Sequence, residues 1–412
     1  MRWRVKSSLL GAIAAMTSCV LILPALAQAS KDQASKEWNR CAGKDGGAID
    51  ELIEGCTSVI QSPDGTPEMR ALAFAGRGSA YMTKGNFDGA IQDYNQAISL
   101  DGKNFLAFSN RGFAYAGRGN FDLAIQDYDQ ALLLNPNAAL TFYNRGFARA
   151  AKGDFDQAIE DYDRAIGLNA DFMQALLNRG FAHTARGDFD RAIADYDQAI
   201  RLNPNVAAAF YNRGVAYGHR KDFDRAIEDY DQAIHLNPNY AWAYYRRGQA
   251  YANKGDFGRA IRDYDHTIQL DPGNAKAFND RGFARASKGD LDGAIRDYSK
   301  AIGLDSSDAN VFYNRGSAYA EQHQFDRAIQ DYDRAVRLAP NFAQAFVNRG
   351  FVYAIKGNYN RAIEDFDQAL ALIPNSAHAL FNRGIVKMRK GDRMGGSADI
   401  AQAKLLDPGL GN

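Results

Sequence analysis

An arginine and an aspartate each recur at a fixed spacing of 34 residues along this 412-residue chain, and together they could form a row of ion pairs. The arginines are Arg77, Arg111, Arg145, Arg179, Arg213, Arg247, Arg281, Arg315, Arg349 and Arg383. The aspartates are Asp93, Asp127, Asp161, Asp195, Asp229, Asp263, Asp297, Asp331, Asp365 and Asp399. An unpaired charge in a half-buried place costs several kcal/mol, and a planar guanidinium matches a carboxylate well. We therefore predict one structural Arg–Asp pair per copy; an arginine row that grips an acidic ligand is the alternative.

An asparagine stands directly before most of these arginines, and its amide could bind a peptide. The asparagines are Asn110, Asn144, Asn178, Asn212, Asn314, Asn348 and Asn382, and the row is interrupted by Gly76, Arg246 and Asp280. Consecutive helix positions point about 100° apart, so asparagine and arginine leave a helix on different faces. An amide offers a donor and an acceptor, which suits the backbone of an extended peptide. We predict peptide contact; the alternative is that each amide bonds a neighbouring helix or water.

The sequence contains no cluster typical of catalysis or of metal binding. Its six histidines share no pattern with a nucleophile and show no metal-ligand spacing; they are His183, His219, His235, His266, His323 and His378. Lysine plus arginine equals aspartate plus glutamate at 49 each, so no net charge favours nucleic acid or anionic lipid. We predict a protein that is not an enzyme, with no cofactor and no metal.

The elements that position these residues are a repeated pair of helices. Glycine also recurs every 34 residues, from Gly78 to Gly384, which indicates a stack of small units. In residues 105–138, apolar side chains follow helical spacing in two runs: Phe108, Gly112 and Tyr115, then Ala124, Ile125, Tyr128, Ala131 and Leu132.

Signals for the helix ends separate the two runs. Gly119 suits a left-handed C-terminal cap, Asn120 can cap the second helix, and Pro136 ends it. Lys221 and His323 replace the capping glycine in two copies, where we expect mild strain.

The unit resembles the tetratricopeptide repeat (TPR), whose hallmark positions read Phe210, Gly214, Tyr217, Ala226, Tyr230, Ala233 and Pro238. The resemblance implies an all-α fold, a right-handed α-solenoid of stacked antiparallel helix pairs. It covers ten copies, at 71–104, 105–138, 139–172, 173–206, 207–240, 241–274, 275–308, 309–342, 343–376 and 377–410. The arginine slot is commonly leucine in this family, so the arginine row is a departure.

In the family the asparagine slot looks onto the concave surface of the superhelix, and the resemblance extends the predicted partner site to two aromatic rows. These are Tyr143, Tyr211, Tyr245 and Tyr313, and Phe113, Phe147, Phe181, Phe283 and Phe351. An exposed strip of this kind usually marks an interaction surface. Packing between repeats is the alternative, because the same spacing also makes a core stripe.

The first 70 residues differ from the repeats. A basic start at residues 2–6, the apolar run Leu9–Leu23 and a small-residue cleavage site at 25–27 predict a secretory signal peptide at 1–27. An uncleaved anchor, or a lipoprotein cut before Cys19, is the alternative. Residues 28–70 are predicted to form a degenerate N-terminal capping repeat.

Export would place Cys41 and Cys56 in an oxidising compartment, where an even pair favours a disulfide. The sequence thus predicts a periplasmic or secreted bacterial protein, with no membrane insertion after the signal is cleaved. Its predicted function is a scaffold that binds a protein or an extended peptide in the concave groove. The alternatives are a structural part of an envelope or polymer-export assembly, acting through the convex face and the ends, and a carbohydrate-binding solenoid.

Overall fold

The computed structural model describes residues 32–44 and 48–410, and every regular element in these ranges is an α-helix. The predicted signal peptide lies outside the described residues. The helices are α1 Asp32–Cys41, α2 Ile49–Gln61, α3 Pro67–Thr83, α4 Phe87–Leu100, α5 Phe105–Gly117, α6 Phe121–Leu134, α7 Ala139–Lys152, α8 Phe155–Leu168, α9 Met173–Arg186, α10 Phe189–Leu202, α11 Ala207–His219, α12 Phe223–Leu236, α13 Ala241–Asn253, α14 Phe257–Leu270, α15 Ala275–Ser287, α16 Leu291–Leu304, α17 Ala309–Glu321, α18 Phe325–Leu338, α19 Ala343–Ile355, α20 Tyr359–Leu372, α21 Ala377–Lys390 and α22 Arg393–Leu406. None of the helices in these ranges combines the length and apolar character needed to cross a bilayer.

The predicted turn chemistry decides where the helices of each pair end. Gly119 takes a positive φ of 80° between α5 and α6, as expected for a left-handed helix end. Lys221 and His323 adopt the same conformation, with φ of 61° and 59°. The prediction for Asn120 needs a correction. It is the residue before α6, but its side chain makes no capping hydrogen bond.

In the repeats from Gly78 to Gly350, the two helices of each pair meet where the glycine faces an aromatic ring; in the last repeat Gly384 faces Ile400. A Cβ atom placed on Gly112 in α5 would lie 2.9 Å from Cε1 of Tyr128 in α6. Tyr128 and Ala124 are fully buried at this contact. Any larger residue at the glycine would push the two helices apart, so the recurring glycine sets their distance.

The described part of the chain forms two compact units, divided between residues 205 and 206. Within each, the first helix of every repeat packs on its own second helix and on the second helix of the preceding repeat. Successive first helices also touch, as α5 touches α7 and α13 touches α15. In the described part of the chain, second helices of neighbouring repeats make no comparable contact. The first helices are therefore the more closely spaced layer, and we call the side they line the first-helix surface.

The helices α1 and α2 precede the repeats, and a disulfide joins Cys41 in α1 to Cys56 in α2. The first repeat begins earlier than predicted: α3 starts at Pro67 rather than near Ala71. Thr66 accepts a hydrogen bond from the Met69 amide, and proline suits the first helical position, so the local signals lengthen this helix.

Candidate functional site

The arginine row lies inside the repeats, between the two helices of each pair. In α5, Arg111 donates from Nε to Asp127 Oδ2 at 2.8 Å and from Nη2 to Asp127 Oδ1 at 2.6 Å. Such a two-point contact matches the guanidinium fork to the carboxylate. The other pairs are Arg77–Asp93, Arg145–Asp161, Arg179–Asp195, Arg213–Asp229, Arg247–Asp263, Arg281–Asp297, Arg315–Asp331, Arg349–Asp365 and Arg383–Asp399. Every predicted arginine therefore meets its predicted aspartate.

A second carboxylate, which the sequence analysis missed, joins several of these arginines to the preceding repeat. Arg349 donates from Nη1 to Asp333 at 2.7 Å, and Asp333 lies on the second helix of the repeat before. Equivalent contacts are Arg145–Asp129, Arg179–Asp163, Arg247–Asp231, Arg281–Asp265 and Arg383–Asp367. The signal was an aspartate two residues after the paired one, as in Asp127-Tyr128-Asp129. The arginine thus joins helices within a repeat and also joins consecutive repeats.

An aromatic ring covers the remaining face of these guanidinium groups. Arg111 lies 5.5 Å from the ring centre of Phe108, and Arg349 lies 5.4 Å from that of Phe346. The hydrogen bond to Asp127 raises the pKa of the Arg111 guanidinium above its ordinary value. Burial raises the pKa of the Asp365 carboxyl even with Arg349 beside it. The row is occupied by internal contacts, so the structure favours its structural interpretation over the grip on an acidic ligand.

The asparagine row lies on the first helices, but part of it bonds the preceding repeat. Asn178 donates from Nδ2 to the Tyr143 hydroxyl at 3.1 Å, and Asn348 donates to the Tyr313 hydroxyl at 3.0 Å. Asn314 donates to Asn279 at 3.1 Å. Six members stay half-buried at the surface, namely Asn110, Asn178, Asn212, Asn314, Asn348 and Asn382. These six retain some access to a partner.

Three predicted partner contacts need correction, because their side chains are buried. Asn144 is only 8 % exposed, Tyr143 1 % and Tyr245 3 %. The Tyr143 ring packs 4.9 Å from that of Phe172, on the segment that leads into the next repeat. Burial raises the pKa of the Tyr143 hydroxyl to about 12. These tyrosines fill the contact between repeats, whereas Tyr211 and Tyr313 remain half-exposed.

Apolar side chains are exposed on the first-helix surface. Phe283 is 51 % exposed and Phe351 50 %, while Phe113, Phe147 and Phe181 are half-buried. Other exposed apolar residues of first helices are Leu106, Leu140, Trp242, Ile355 and Met388. Trp242 stands at the second position of its repeat, and Phe283 stands at the ninth position of the next repeat. These two positions are seven residues apart within a repeat, so side chains in the two rows lie on the same face of the first helices. This surface is the candidate site.

The interruption of the asparagine row places charge on this surface. Asp280 in α15 accepts hydrogen bonds at Oδ2 from the Tyr245 hydroxyl at 2.8 Å and from Gln249 Nε2 at 3.2 Å. Gln249 in turn accepts from Arg246 Nη1 at 3.0 Å. A cavity of about 320 Å³ is lined by Gln249, Ala252, Asn253, Tyr264, Asp280 and Phe283.

Comparison with known structures shows partial likenesses. MamA shares 32 % identity over 40 % of this chain and 96 % of MamA, with a TM-score of 0.38. A tetratricopeptide repeat protein from Parabacteroides merdae shares 18 % identity over 60 % of this chain and 98 % of its own, with a TM-score of 0.48. The structure of the Cut9–Hcn1 hetero-tetramer of the APC/C shares 13 % identity over 92 % of this chain and 94 % of its own, with a TM-score of 0.48. No curated protein matched the sequence.

Family models of the tetratricopeptide repeat match the sequence repeatedly. The matches lie at residues 78–117, 105–138, 139–172, 177–241, 241–274, 284–323 and 316–380, and together they span more than half of the chain. They lie on the helix pairs, and the pairs from Gly78 to Gly350 show the expected contact of glycine with an aromatic ring. By sequence and by architecture, this chain belongs to the tetratricopeptide repeat family.

Proposed function

We propose that the chain is a non-enzymatic scaffold that binds an extended peptide or a partner protein on its first-helix surface. The observation that carries the proposal is the recurrence of exposed apolar side chains at the second and ninth positions of several first helices. In the second unit these include Trp242, Phe283 and Phe351. Large apolar side chains exposed side by side are typical of interaction surfaces.

Polar groups beside these side chains suit a peptide backbone. Asn314, Asn348 and Asn382 are half-buried on first helices, and Asn348 shares its helix with Phe351. An extended peptide needs donors and acceptors along its backbone and apolar contacts for its side chains. The first-helix surface offers both kinds of group, although not in every repeat.

Site-specific crosslinking tests the proposal. The purified protein carries a photoreactive phenylalanine analogue at Phe351, and a matched control carries it at Ile373, which is 51 % exposed at the end of a second helix. Each is mixed with a random library of 12-residue peptides and illuminated. We expect peptide crosslinks at position 351 and few at position 373. Equal yields at the two positions would contradict the proposal.

A substitution adds the energetic test. Phe351→Ala removes a half-exposed ring, so we expect the affinity for a selected peptide to fall about tenfold while the melting temperature changes little. Ile373→Ala is the control and leaves affinity unchanged. A loss of stability with unchanged affinity would instead make Phe351 a packing residue.

A specific observation also supports the alternative, a structural part of an envelope assembly that acts through its ends. Met394 is 87 % exposed and Leu405 85 % on the last helix, α22. The photoreactive analogue at Leu405 separates the two functions in envelope extract. Crosslinks there, without crosslinks at position 351, favour assembly through the end.

We also propose that the protein is exported. The support is the disulfide between Cys41 and Cys56, since such bonds persist in oxidising compartments. Fractionation of expressing cells, followed by N-terminal sequencing of the product, tests export. A cytoplasmic product that keeps residues 1–27 contradicts it.

A further inference from the structure

In one repeat the asparagine row contains an aspartate, Asp280, instead of an asparagine. The hydrogen-bond donors to its carboxylate are all neutral groups. Asp280 accepts from Tyr245, Gln249 and Asn279, all uncharged donors. Within residues 48–410, no lysine or arginine forms an ion pair with it. The ten aspartates of the repeated Arg–Asp pairs, by contrast, each have an arginine. Asp280 therefore presents an uncompensated negative charge on the first-helix surface.

The basic residue of the row, Arg246, bonds the same glutamine side chain as this carboxylate and forms no ion pair with Asp280. Arg246 hydrogen-bonds Gln249, and its charge acts on Tyr230 and His219 of the preceding repeat. The amide of Gln249 thus stands between the guanidinium and Asp280. Asp280 is half-buried and has no direct bond to Arg246, so an ion pair with a cation from outside the chain remains available to it.

A cavity lies beside Asp280, and Gln249, which stands in the aromatic row where several repeats have phenylalanine, forms part of its lining. Phenylalanine holds the equivalent position at Phe147 and Phe181. The space of about 320 Å³ is lined by the Asp280 side chain and by the exposed ring of Phe283. A carboxylate next to an aromatic ring is the chemistry that holds a basic side chain, through an ion pair and a cation–π contact.

We propose that this cavity, the Asp280 pocket, binds a lysine or arginine side chain of the partner peptide. The inference rests on the proposed function and makes it more specific. A basic residue gains an ion pair with Asp280 while its aliphatic stem packs on Phe283. The pocket selects partners with a basic side chain at one fixed position.

Asp280→Asn is the decisive variant, because asparagine is the residue of the row in seven other repeats. Its amide can donate to the Tyr245 hydroxyl as Asn348 does to Tyr313, so this hydrogen bond remains, while the charge and the acceptor for the Gln249 amide are lost. Gln249→Phe is the second variant and places in the cavity the side chain that five other repeats have at this position. Both variants should melt near the temperature of the parent protein.

Parallel selections test the pocket. A phage-displayed library of random 12-residue peptides is selected against the full chain, Asp280→Asn and Gln249→Phe. We expect the parent protein to enrich peptides with lysine or arginine at one position, and both variants to lose this enrichment. Replacing that basic residue by methionine in a selected peptide should weaken binding to the parent about tenfold or more, and binding to Asp280→Asn hardly at all.

The outcomes separate this inference from the function on which it rests. If the selected peptides show no preference for a basic residue, or keep that preference with Asp280→Asn, the proposed pocket is wrong. The proposed scaffold function is not contradicted by that result. If the parent protein enriches no peptide, the scaffold proposal fails and the pocket fails with it.

Discussion

At the scale of residues, the arginine in the leucine slot of the family is the main departure of this chain. Each arginine is held by a carboxylate of its own repeat, and many also reach a carboxylate of the repeat before. Burying an ion pair gives little net stability, but removing one member leaves the other charge stranded. The row should therefore be intolerant of single substitutions.

Two arginines of the row differ in how much their removal should cost. In Arg281→Leu, Asp297 keeps a second cation, because Arg285 Nη1 lies 2.9 Å from its Oδ2. In Arg349→Leu, Asp365 loses its arginine and no second ion pair is present in the described residues. We expect Arg349→Leu to cost about 3 kcal/mol and Arg281→Leu clearly less. Urea unfolding measures both; equal losses would argue against the role of the second cation.

A buried histidine should make stability depend on pH. His183 occupies the position of Arg149 and Tyr217, and burial lowers the pKa of its imidazole below 6.5. At pH values between this lowered pKa and 6.5, the unfolded chain therefore binds more protons than the folded chain. The stability that the neutral ring supports is complete above this window and falls as pH decreases through it.

His183→Tyr tests this, since tyrosine holds the same position in other repeats. We expect the parent melting temperature to fall more than that of the variant between about pH 7.5 and about pH 5.5. Parallel pH profiles would show that His183 does not titrate in this range.

At the scale of elements, the turn between the helices of each pair demands a positive φ. Glycine meets this demand in most repeats, but Lys221 and His323 adopt φ of 61° and 59°. A side chain with a Cβ atom pays about 1 kcal/mol in this conformation. The two turns are therefore points of strain within otherwise regular repeats.

Exchanging residues between two turns tests the strain. Lys221→Gly should stabilise the protein by about 1 kcal/mol. Gly255→Lys should destabilise it by a similar amount, because its φ is 78° and no atom would obstruct the new Cβ, so backbone strain alone acts. Thermal unfolding of both variants is the measurement. A destabilising Lys221→Gly would mean that the lysine side chain makes contacts that outweigh the strain.

At the scale of the whole molecule, stability in a repeat array comes from neighbours, so the end repeats are the weakest. The disulfide between α1 and α2 compensates at one end. The last helix, α22, has no such bond and exposes Met394 and Leu405 almost fully. We infer that the two ends differ in stability.

Hydrogen exchange should resolve this difference. In the oxidised protein we expect α22 to exchange faster than α2, while the helices inside each unit exchange slowest. Reducing the disulfide should cost the α1–α2 pair about 3 kcal/mol and bring its exchange close to that of α22. Unchanged exchange in α2 after reduction would show that packing alone holds this pair.

The sequence alone predicted the helix pairs, the repeat family and the pairing of Arg111 with Asp127. These features follow from contacts within one 34-residue unit, and the periodicity records such contacts in every copy. The helix ends were also largely predictable, since glycine and proline act locally. Asn120 was an exception, because being placed before a helix does not ensure that the side chain bonds the helix amides.

Only the tertiary structure decided what lies between repeats. The contact of Arg349 with Asp333, the burial of Tyr143 and Tyr245, and the neutral surroundings of Asp280 all depend on how one unit packs on the next. The pattern within one repeat does not fix this packing, because the same amide or ring can face a neighbouring helix or solvent. The candidate site was therefore located by sequence at the level of rows, and its accessible members were identified by side-chain burial.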